Sequence, residues 1–168
     1  MRQEQQPQAD RGWLLPLLLA AAAAALVAAV GATLTDLGPW YQSLRQPSWA
    51  PPDGLYPVAW TSVFALWTVA AATAWRALPD GRRRERLVAL LAATGFLNIL
   101  WSLLFFRLRR PDWALAEVAL LWLSILALMV HVRHAAPRAA LLLLLYLLWV
   151  SLAAALNAAI VRLNGPFG

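Results

Sequence analysis

The chain has 168 residues, of which 62% are hydrophobic and 13% are charged. Soluble domains average about 45 to 50% hydrophobic residues and about 25% charged residues. The composition therefore excludes an ordinary soluble fold and a disordered chain. It has 10 Trp and no Cys, which excludes a disulfide-stapled module, thiol catalysis and cysteine-ligated metal. The formal net charge is +6 and all 14 basic residues are arginine, a bias that reflects genome base composition and gives no argument for a nucleic-acid partner.

Five uncharged or nearly uncharged stretches are each 20 to 23 residues long. A helix of about 20 residues crosses the hydrocarbon core of a bilayer, which is about 30 Å thick. We therefore predict an all-α integral membrane protein, a bundle of five transmembrane helices over 14–164 with a polar N-terminal tail at 1–13 and a C-terminal tail at 165–168. The predicted spans are 14–34, 54–75, 87–106, 113–132 and 139–161.

The first span follows Arg2 and Arg11 and contains an alanine run at 20–25, so it resembles a secretory signal peptide. Its 21 residues exceed the apolar region of such peptides, which has about 7 to 15 residues. We predict a retained helix.

Arginine placement predicts the orientation. With five spans the termini lie on opposite sides, and nine arginines fall on the N-terminal side against five on the other. By the positive-inside rule the N-terminus is predicted to be cytoplasmic. The basic cluster at 82–86 is then a topology signal at the membrane surface.

The connection at 35–55 is the one long loop, and it carries four prolines and three large aromatic residues. Prolines stiffen a segment without secondary structure, and long loops in compact folds are commonly lids or binding elements. Two interpretations remain open: a lid that also anchors in the headgroup region, or an interfacial aromatic belt alone. The residues concerned are Pro39, Trp40, Tyr41, Pro47, Trp49, Pro51 and Pro52.

Three spans carry aromatic or polar stripes at a depth that places them beneath this loop. Each stripe repeats at three- and four-residue spacing and so shares one helix face. Their convergence predicts a cavity that stacks a flat, largely apolar ligand. The stripes are Trp60 and Phe64 on span 2, Asn98, Trp101 and Phe105 on span 3, and Trp149, Ala153 and Asn157 on span 5.

Two amides lie within these stripes. Because an unpaired amide in hydrocarbon is costly, Asn98 and Asn157 are predicted to point into the bundle. Interhelical hydrogen bonding and ligand contact both remain open for them. Ala153 lies between Trp149 and Asn157, where its small side chain leaves room for a ligand.

Small residues at four-residue spacing let helices approach closely. Ala89 and Ala93 lie on the side of span 3 opposite Asn98, and we predict that they form a homodimer interface. The alanines at 20, 24, 28 and 32 of span 1 are a competing close-packing face, and packing within one subunit remains an alternative for both.

On span 4, Glu117, Ser124 and His131 recur at seven-residue spacing and predict a buried polar seam. Glu117 lies about one turn from the predicted start of the span, where an acid is favourable, so a structural role is expected. His131 and His134 fall at the end away from the long loop, which argues against an axial haem ligand there. We predict no metal site.

Several sequence blocks, in this order, resemble the TspO/MBR family of tryptophan-rich sensory proteins, which is related to the mitochondrial translocator protein. The resemblance covers about residues 14 to 164. The blocks are 40–52 (WYQSLRQPSWAPP), 57–61 (PVAWT), 98–102 (NILWS) with Phe105 and Phe106, 146–149 (YLLW), 156–157 (LN) and 162–164 (RLN).

The resemblance implies a five-helix protein of the bacterial cell membrane, commonly dimeric, that binds porphyrin-like tetrapyrroles in a pocket closed by the first loop. No cofactor is required, and a protoporphyrin-like molecule is the implied ligand. Carried over by matching motif, the ligand-binding residues are Trp49, Pro51, Trp60, Phe64, Asn98, Trp101, Phe105, Trp149, Ala153, Leu156 and Asn157.

The chain departs from the family pattern at several positions. Phe64 stands where Tyr is frequent and Gln46 where Lys is usual; Leu103 and Leu145 replace common prolines, so straighter helices are expected there. Ala158 removes the aromatic residue of the sterol pattern, and sterol binding is therefore not expected.

Three functions remain open. The first is a membrane binder, sensor or carrier of tetrapyrroles, with Arg45 or loop amides meeting the propionates. The second is light- and oxygen-dependent porphyrin breakdown through Trp60 or Trp149, because the predicted pocket offers no conventional acid–base or nucleophilic residue. The third is a structural or partner-modulating membrane protein.

Overall fold

A computed structural model describes residues 11–79 and 81–167, and within this part the chain forms helices and no strand. The helices are α1 (Arg11–Leu34), α2 (Pro39–Ser43), α3 (Leu55–Ala77), α4 (Arg82–Ser102), α5 (Pro111–Val132) and α6 (Pro137–Asn164), and α4 continues into a π-helical turn at Leu103–Arg107. Residues 1–10 of the predicted N-terminal tail and Gly168 of the C-terminal tail lie outside the described residues.

Five of these helices are long and apolar enough to cross a membrane, which confirms the predicted all-α, five-span membrane fold. The helices extend beyond most predicted span limits because charged residues join their ends; residues 11–13, predicted as tail, are helical. Pro111 and Pro137 occupy the first turns of α5 and α6, where proline is favourable because it has no amide hydrogen to leave unpaired. Gly81 precedes α4 with φ +84°, a conformation open to glycine.

The five long helices form a closed ring in the order α1, α3, α6, α5, α4, with α4 returning to α1. Gly95 allows the last of these contacts: a Cβ at this position would lie 3.0 Å from Cγ2 of Val27. The absence of a side chain at Gly95 therefore lets α1 approach α4 closely.

The two ends of the ring are packed differently. In the half towards the N-terminus, α3, α5 and α6 bury a continuous apolar core, with Leu87 of α4 against it. Trp67 belongs to this core. Towards the long loop a second, smaller core closes the end of the bundle and includes Tyr41, Phe105 and Ile160. The interior between the two cores is not filled by side chains, and the cavity described below lies there.

The predicted polar seam of α5 faces α4 over part of its length. Ser124 Oγ and Thr94 Oγ1 share a hydrogen bond of 3.1 Å, and the His131 ring donates from Nε2 to the Arg83 carbonyl at 2.9 Å. Glu117 is buried, but neither carboxyl oxygen has a partner among the described residues. Because α5 begins at Pro111, Glu117 is its seventh residue, beyond the first turn over which the helix dipole acts. The expectation that the helix dipole stabilises Glu117 is therefore wrong.

Leu103 and Leu145, which were predicted to stand in place of prolines common in the family, differ in their local structure. Helix α6 passes Leu145 without interruption. At Leu103, however, α4 widens into the π-helical turn, so the helix is not regular at this position. A π-helical turn interrupts the regular hydrogen-bond ladder as a proline would.

Candidate ligand-binding site

A cavity of about 840 Å³ lies inside the ring, beneath the long loop. This volume is within the range of about 300 to 1,000 Å³ typical of small-molecule sites. Its walls come from α1, α3, the end of α4 and α6, and the loop covers it. Helix α5 contributes no lining residue, because its inward face is used in the apolar core.

One side of the cavity is aromatic. Trp60 and Phe64 stack with ring centroids 5.7 Å apart, and Trp149 meets Trp60 edge-on at 6.1 Å. On α4, Trp101 and Phe105 stack at 5.0 Å. Such contacts hold the rings in fixed orientations, so the wall presents ordered faces to a flat apolar molecule.

The opposite side consists of small residues on α1, among them Ala24, Ala28, Gly31 and Ala32. A Cβ added to Gly31 would lie 3.8 Å from Oγ of Ser102. The alanines at 24, 28 and 32, predicted as part of a competing close-packing face, are therefore turned towards the cavity. Because the side chains along this face of α1 are short, they leave the space between α1 and the aromatic wall unfilled.

Both predicted amides make interhelical hydrogen bonds and also line the cavity. Asn157 accepts from Nε1 of Trp101 at 3.1 Å and donates to the Pro111 carbonyl at 2.8 Å. Asn98 donates to the hydroxyl of Tyr146 at 3.1 Å. The interhelical alternative is thus observed for both residues, and Asn157 fixes the ring of Trp101 relative to α5 and α6.

The loop docks onto the π-helical turn rather than running free. Tyr41 of α2 is buried and packs against Phe106 with centroids 5.7 Å apart, and Trp40 meets Phe105 at 6.1 Å. Burial raises the pKa of Tyr41, which keeps its phenol neutral.

The loop was expected to lack secondary structure, and helix α2 within it corrects that expectation. Pro39 lies in the first turn of α2 and explains where this helix begins.

A second attachment ties the loop to the end of α6. The Arg45 amide donates to Oδ1 of Asn164 at 2.7 Å, and Nδ2 of Asn164 donates to the Arg45 carbonyl at 2.9 Å. One side chain thus satisfies both backbone groups of one loop residue. The loop is thereby attached to α6 two residues after the end of α2.

We expect Asn164→Ala to loosen this attachment. Loss of two hydrogen bonds to Arg45 should raise the rate of tryptic cleavage after Arg45 by about fivefold, measured by limited proteolysis of the purified protein. Asn164→Asp keeps an acceptor for the amide and should show a smaller increase. Cleavage after Arg109, at the same end of the bundle, is the internal control; equal acceleration at both sites would contradict a local tether.

The structure brings together ten of the eleven predicted ligand-binding residues. Trp49 is the exception: its side chain is 50% exposed and does not line the cavity, as an interfacial anchor would be placed. The ten that line one cavity are Pro51, Trp60, Phe64, Asn98, Trp101, Phe105, Trp149, Ala153, Leu156 and Asn157.

Sequence reasoning missed several lining residues. Besides the α1 wall, Tyr41, Asp53 and Tyr56 line the cavity. Tyr56 begins the face that continues four residues later with Trp60, so its spacing was an available signal. Asp53 had none, because its position depends on the path of the loop.

Charge is scarce in the cavity. Among the described lining residues Asp53 is the one charged side chain, and Arg45, expected to meet ligand carboxylates, is not among them. Arg109 instead lies over the ring of Trp40 at 5.8 Å. The described part of the chain also contains no group of three or more His, Asp or Glu arranged to hold a metal ion.

The predicted dimer residues lie on the outside of the ring. Ala89 and Ala93 are exposed on α4 beside Phe96, which is 64% exposed. Their face is available to lipid or to another protein.

The family model described as TspO/MBR family matches residues 17–163. The chain belongs to the TspO/MBR family. It is 35% identical over 142 residues to Protein CrtK of Rhodobacter capsulatus, which covers 84% of this chain and 88% of that protein. It is 38% identical over 128 residues to the tryptophan-rich protein TspO of Chlorobaculum tepidum, covering 74% and 79%.

Similarity extends to eukaryotic members of the TspO/MBR family. The human translocator protein is 32% identical over 127 residues, 74% of this chain and 75% of its own length. The matched region of the family model contains all five long helices in large part and the complete loop. Membership and the five apolar helices together establish an integral membrane protein of the tryptophan-rich sensory and translocator type.

Proposed function

We propose that this protein binds a flat, hydrophobic tetrapyrrole, such as a metal-free porphyrin, in the cavity beneath the loop, and acts in tetrapyrrole sensing, regulation or transport. The observation that carries the proposal is the pairing of an ordered aromatic wall with an alanine wall across a cavity of about 840 Å³. Aromatic faces stack a planar ring system, and the alanines leave the width it needs. The described lining provides no nucleophile–base pair, which favours binding over acid–base catalysis.

The direct test is a titration of detergent-purified protein with metal-free protoporphyrin in the dark, following quenching of tryptophan fluorescence. Trp60, Trp101 and Trp149 line the cavity, so binding there should quench them saturably with one site per chain. Quenching that rises linearly without saturation would indicate partition into the micelle and contradict the proposal.

A second candidate is light- and oxygen-dependent porphyrin breakdown. Trp60 and Trp149 favour it, because both line the cavity with ring centroids 6.1 Å apart and either ring lies where an excited ligand would react with it. Illuminating the titrated complex in air distinguishes the two functions. Loss of porphyrin absorbance over several turnovers, slower in Trp149→Phe, supports an enzyme; loss no faster than in protein-free detergent supports binding alone.

We also propose a homodimer through Ala89 and Ala93, with the N-terminus cytoplasmic. The alanine face of α1 is used by the cavity, which leaves the exposed face of α4 as the small-residue surface for a second copy. Because the chain has no Cys, Ala89→Cys is expected to give disulfide-linked dimers in membranes under oxidation. Leu141→Cys, on an exposed face of α6, should give none; equal cross-linking at both would contradict this interface.

A further inference from the structure

Two hydrogen-bond donors in the cavity wall have no partner. The hydroxyl of Tyr56 and the indole N–H of Trp149 are buried and unpaired among the described residues, although both side chains line the cavity. Buried polar atoms are nearly always hydrogen-bonded. Both donors have almost no accessible surface while the cavity is empty, so an acceptor on a bound molecule pairs with them when the molecule displaces the side chains that cover them.

The two side chains belong to one cluster. Their rings meet edge-on with centroids 6.1 Å apart, and Trp149 is held in turn by Trp60 at the same distance. Tyr56 lies in the first turn of α3 and Trp149 in the middle of α6. The cluster therefore joins the loop-side edge of the cavity to the aromatic wall.

The charge beside this cluster is negative. The Tyr56 amide donates to the Asp53 carbonyl at 3.3 Å, and the side chains of both residues line the cavity. Among the described residues that line the cavity there is no cationic side chain to offset it. A carboxylate placed at the Tyr56 hydroxyl would be repelled, whereas a neutral oxygen would not.

We propose that Tyr56 and Trp149 form a polar subsite that takes an uncharged hydrogen-bond acceptor, an ester, ketone or amide oxygen, of a flat apolar ligand. This deepens the proposed function and rests on it: the cavity selects tetrapyrroles whose buried edge carries neutral acyl groups, and Asp53 disfavours free acids there.

The test uses protoporphyrin and its dimethyl ester, titrated in the dark into protein in an uncharged detergent. Affinities are compared between variants for one ligand at a time, because the ester partitions more strongly into micelles. Tyr56→Phe should weaken binding of the ester by about three- to tenfold, the range expected for one hydrogen bond. Ser62→Ala is the control: it removes a hydroxyl from the same helix at an exposed residue that does not line the cavity, so a change below about twofold is expected.

Asp53→Asn tests the charge. It should strengthen binding of the diacid by about threefold or more and leave the ester within about twofold. Asp36→Asn removes the same charge from the same loop at a residue that does not line the cavity, and should change neither affinity. Each variant's thermal unfolding midpoint is measured to confirm an intact fold.

The outcomes separate the two levels of the proposal. If wild type binds saturably but Tyr56→Phe leaves ester affinity unchanged, or Asp53→Asn and Asp36→Asn act alike on the diacid, the neutral subsite is wrong and the tetrapyrrole site stands. If wild type binds neither ligand saturably, the proposed function fails and the subsite fails with it.

Discussion

Replacing Ala153 with phenylalanine is expected to weaken porphyrin binding while leaving the fold intact. Ala153 lines the cavity from α6, between Trp149 and Asn157 on the same helix face. A phenyl ring there occupies the space between the aromatic and alanine walls, and a flat ligand then has to displace packed side chains. Displacement of that kind costs about 1 to 3 kcal/mol or more, so affinity should fall at least about fivefold, as measured by tryptophan quenching in the dark.

The matched control is Ala155→Phe, two residues along α6. Ala155 is exposed on the outside of the ring and does not line the cavity, so the same substitution should leave affinity unchanged. Both variants should retain the wild-type helical circular dichroism. If Ala153→Phe binds porphyrin as the wild type does, the ligand lies elsewhere and a structural role for the aromatic stripes becomes the better explanation.

Asn157→Leu is expected to have the largest effect on stability. Asn157 is 1% exposed and hydrogen-bonds Trp101 of α4 and the Pro111 carbonyl at the start of α5. Leucine is similar in size to asparagine, but it leaves the indole N–H of Trp101 and the carbonyl of Pro111 unpaired inside the bundle. The free energy of unfolding should fall by about 1 to 3 kcal/mol, measured by denaturation in sodium dodecyl sulfate mixtures.

Ser62→Ala provides the comparison for this variant. The Ser62 hydroxyl is on an exposed face and donates to the Val58 carbonyl of its own helix, so its removal should change stability by less than about 0.5 kcal/mol. If the two variants are equally stable, the amide bonds between helices contribute no more than a local bond, and Asn157 is retained for ligand contact instead.

The helices and the aromatic wall could be predicted because their signals are local. Uncharged runs of about 20 residues identify spans, and three- and four-residue spacing placed Trp60, Asn98 and Trp149 on inward faces. Their depth followed from the order of the spans alone. The sequence blocks that resemble the TspO/MBR family also predicted that the loop covers the pocket, because the prolines and tryptophans of the loop are part of those blocks.

The rest depends on contacts between distant segments. The Asn164 tether to Arg45 joins residues 119 positions apart, and no periodicity in either segment indicates it. Likewise, the alanines of α1 are compatible with a dimer face, a packing face or a cavity wall, and only the position of α1 in the ring decides among them. The π-helical turn arises from residues with no helix-breaking signal, so a regular helix was the natural expectation.

The alanine wall also bears on how the protein is held together. Among the described residues of α1 one is buried, Ala24, and the buried share of α1 is smaller than that of the other four long helices. Because dispersion attraction grows with the number of atoms in contact, α1 is the helix held least firmly by the others. A ligand that fills the cavity touches α1 along its length and supplies contacts that the short side chains do not. By thermodynamic linkage, occupancy then stabilises the bundle, with α1 gaining most. A bound ligand would therefore act as an interior part of the scaffold and would hold α1 more tightly against the other helices.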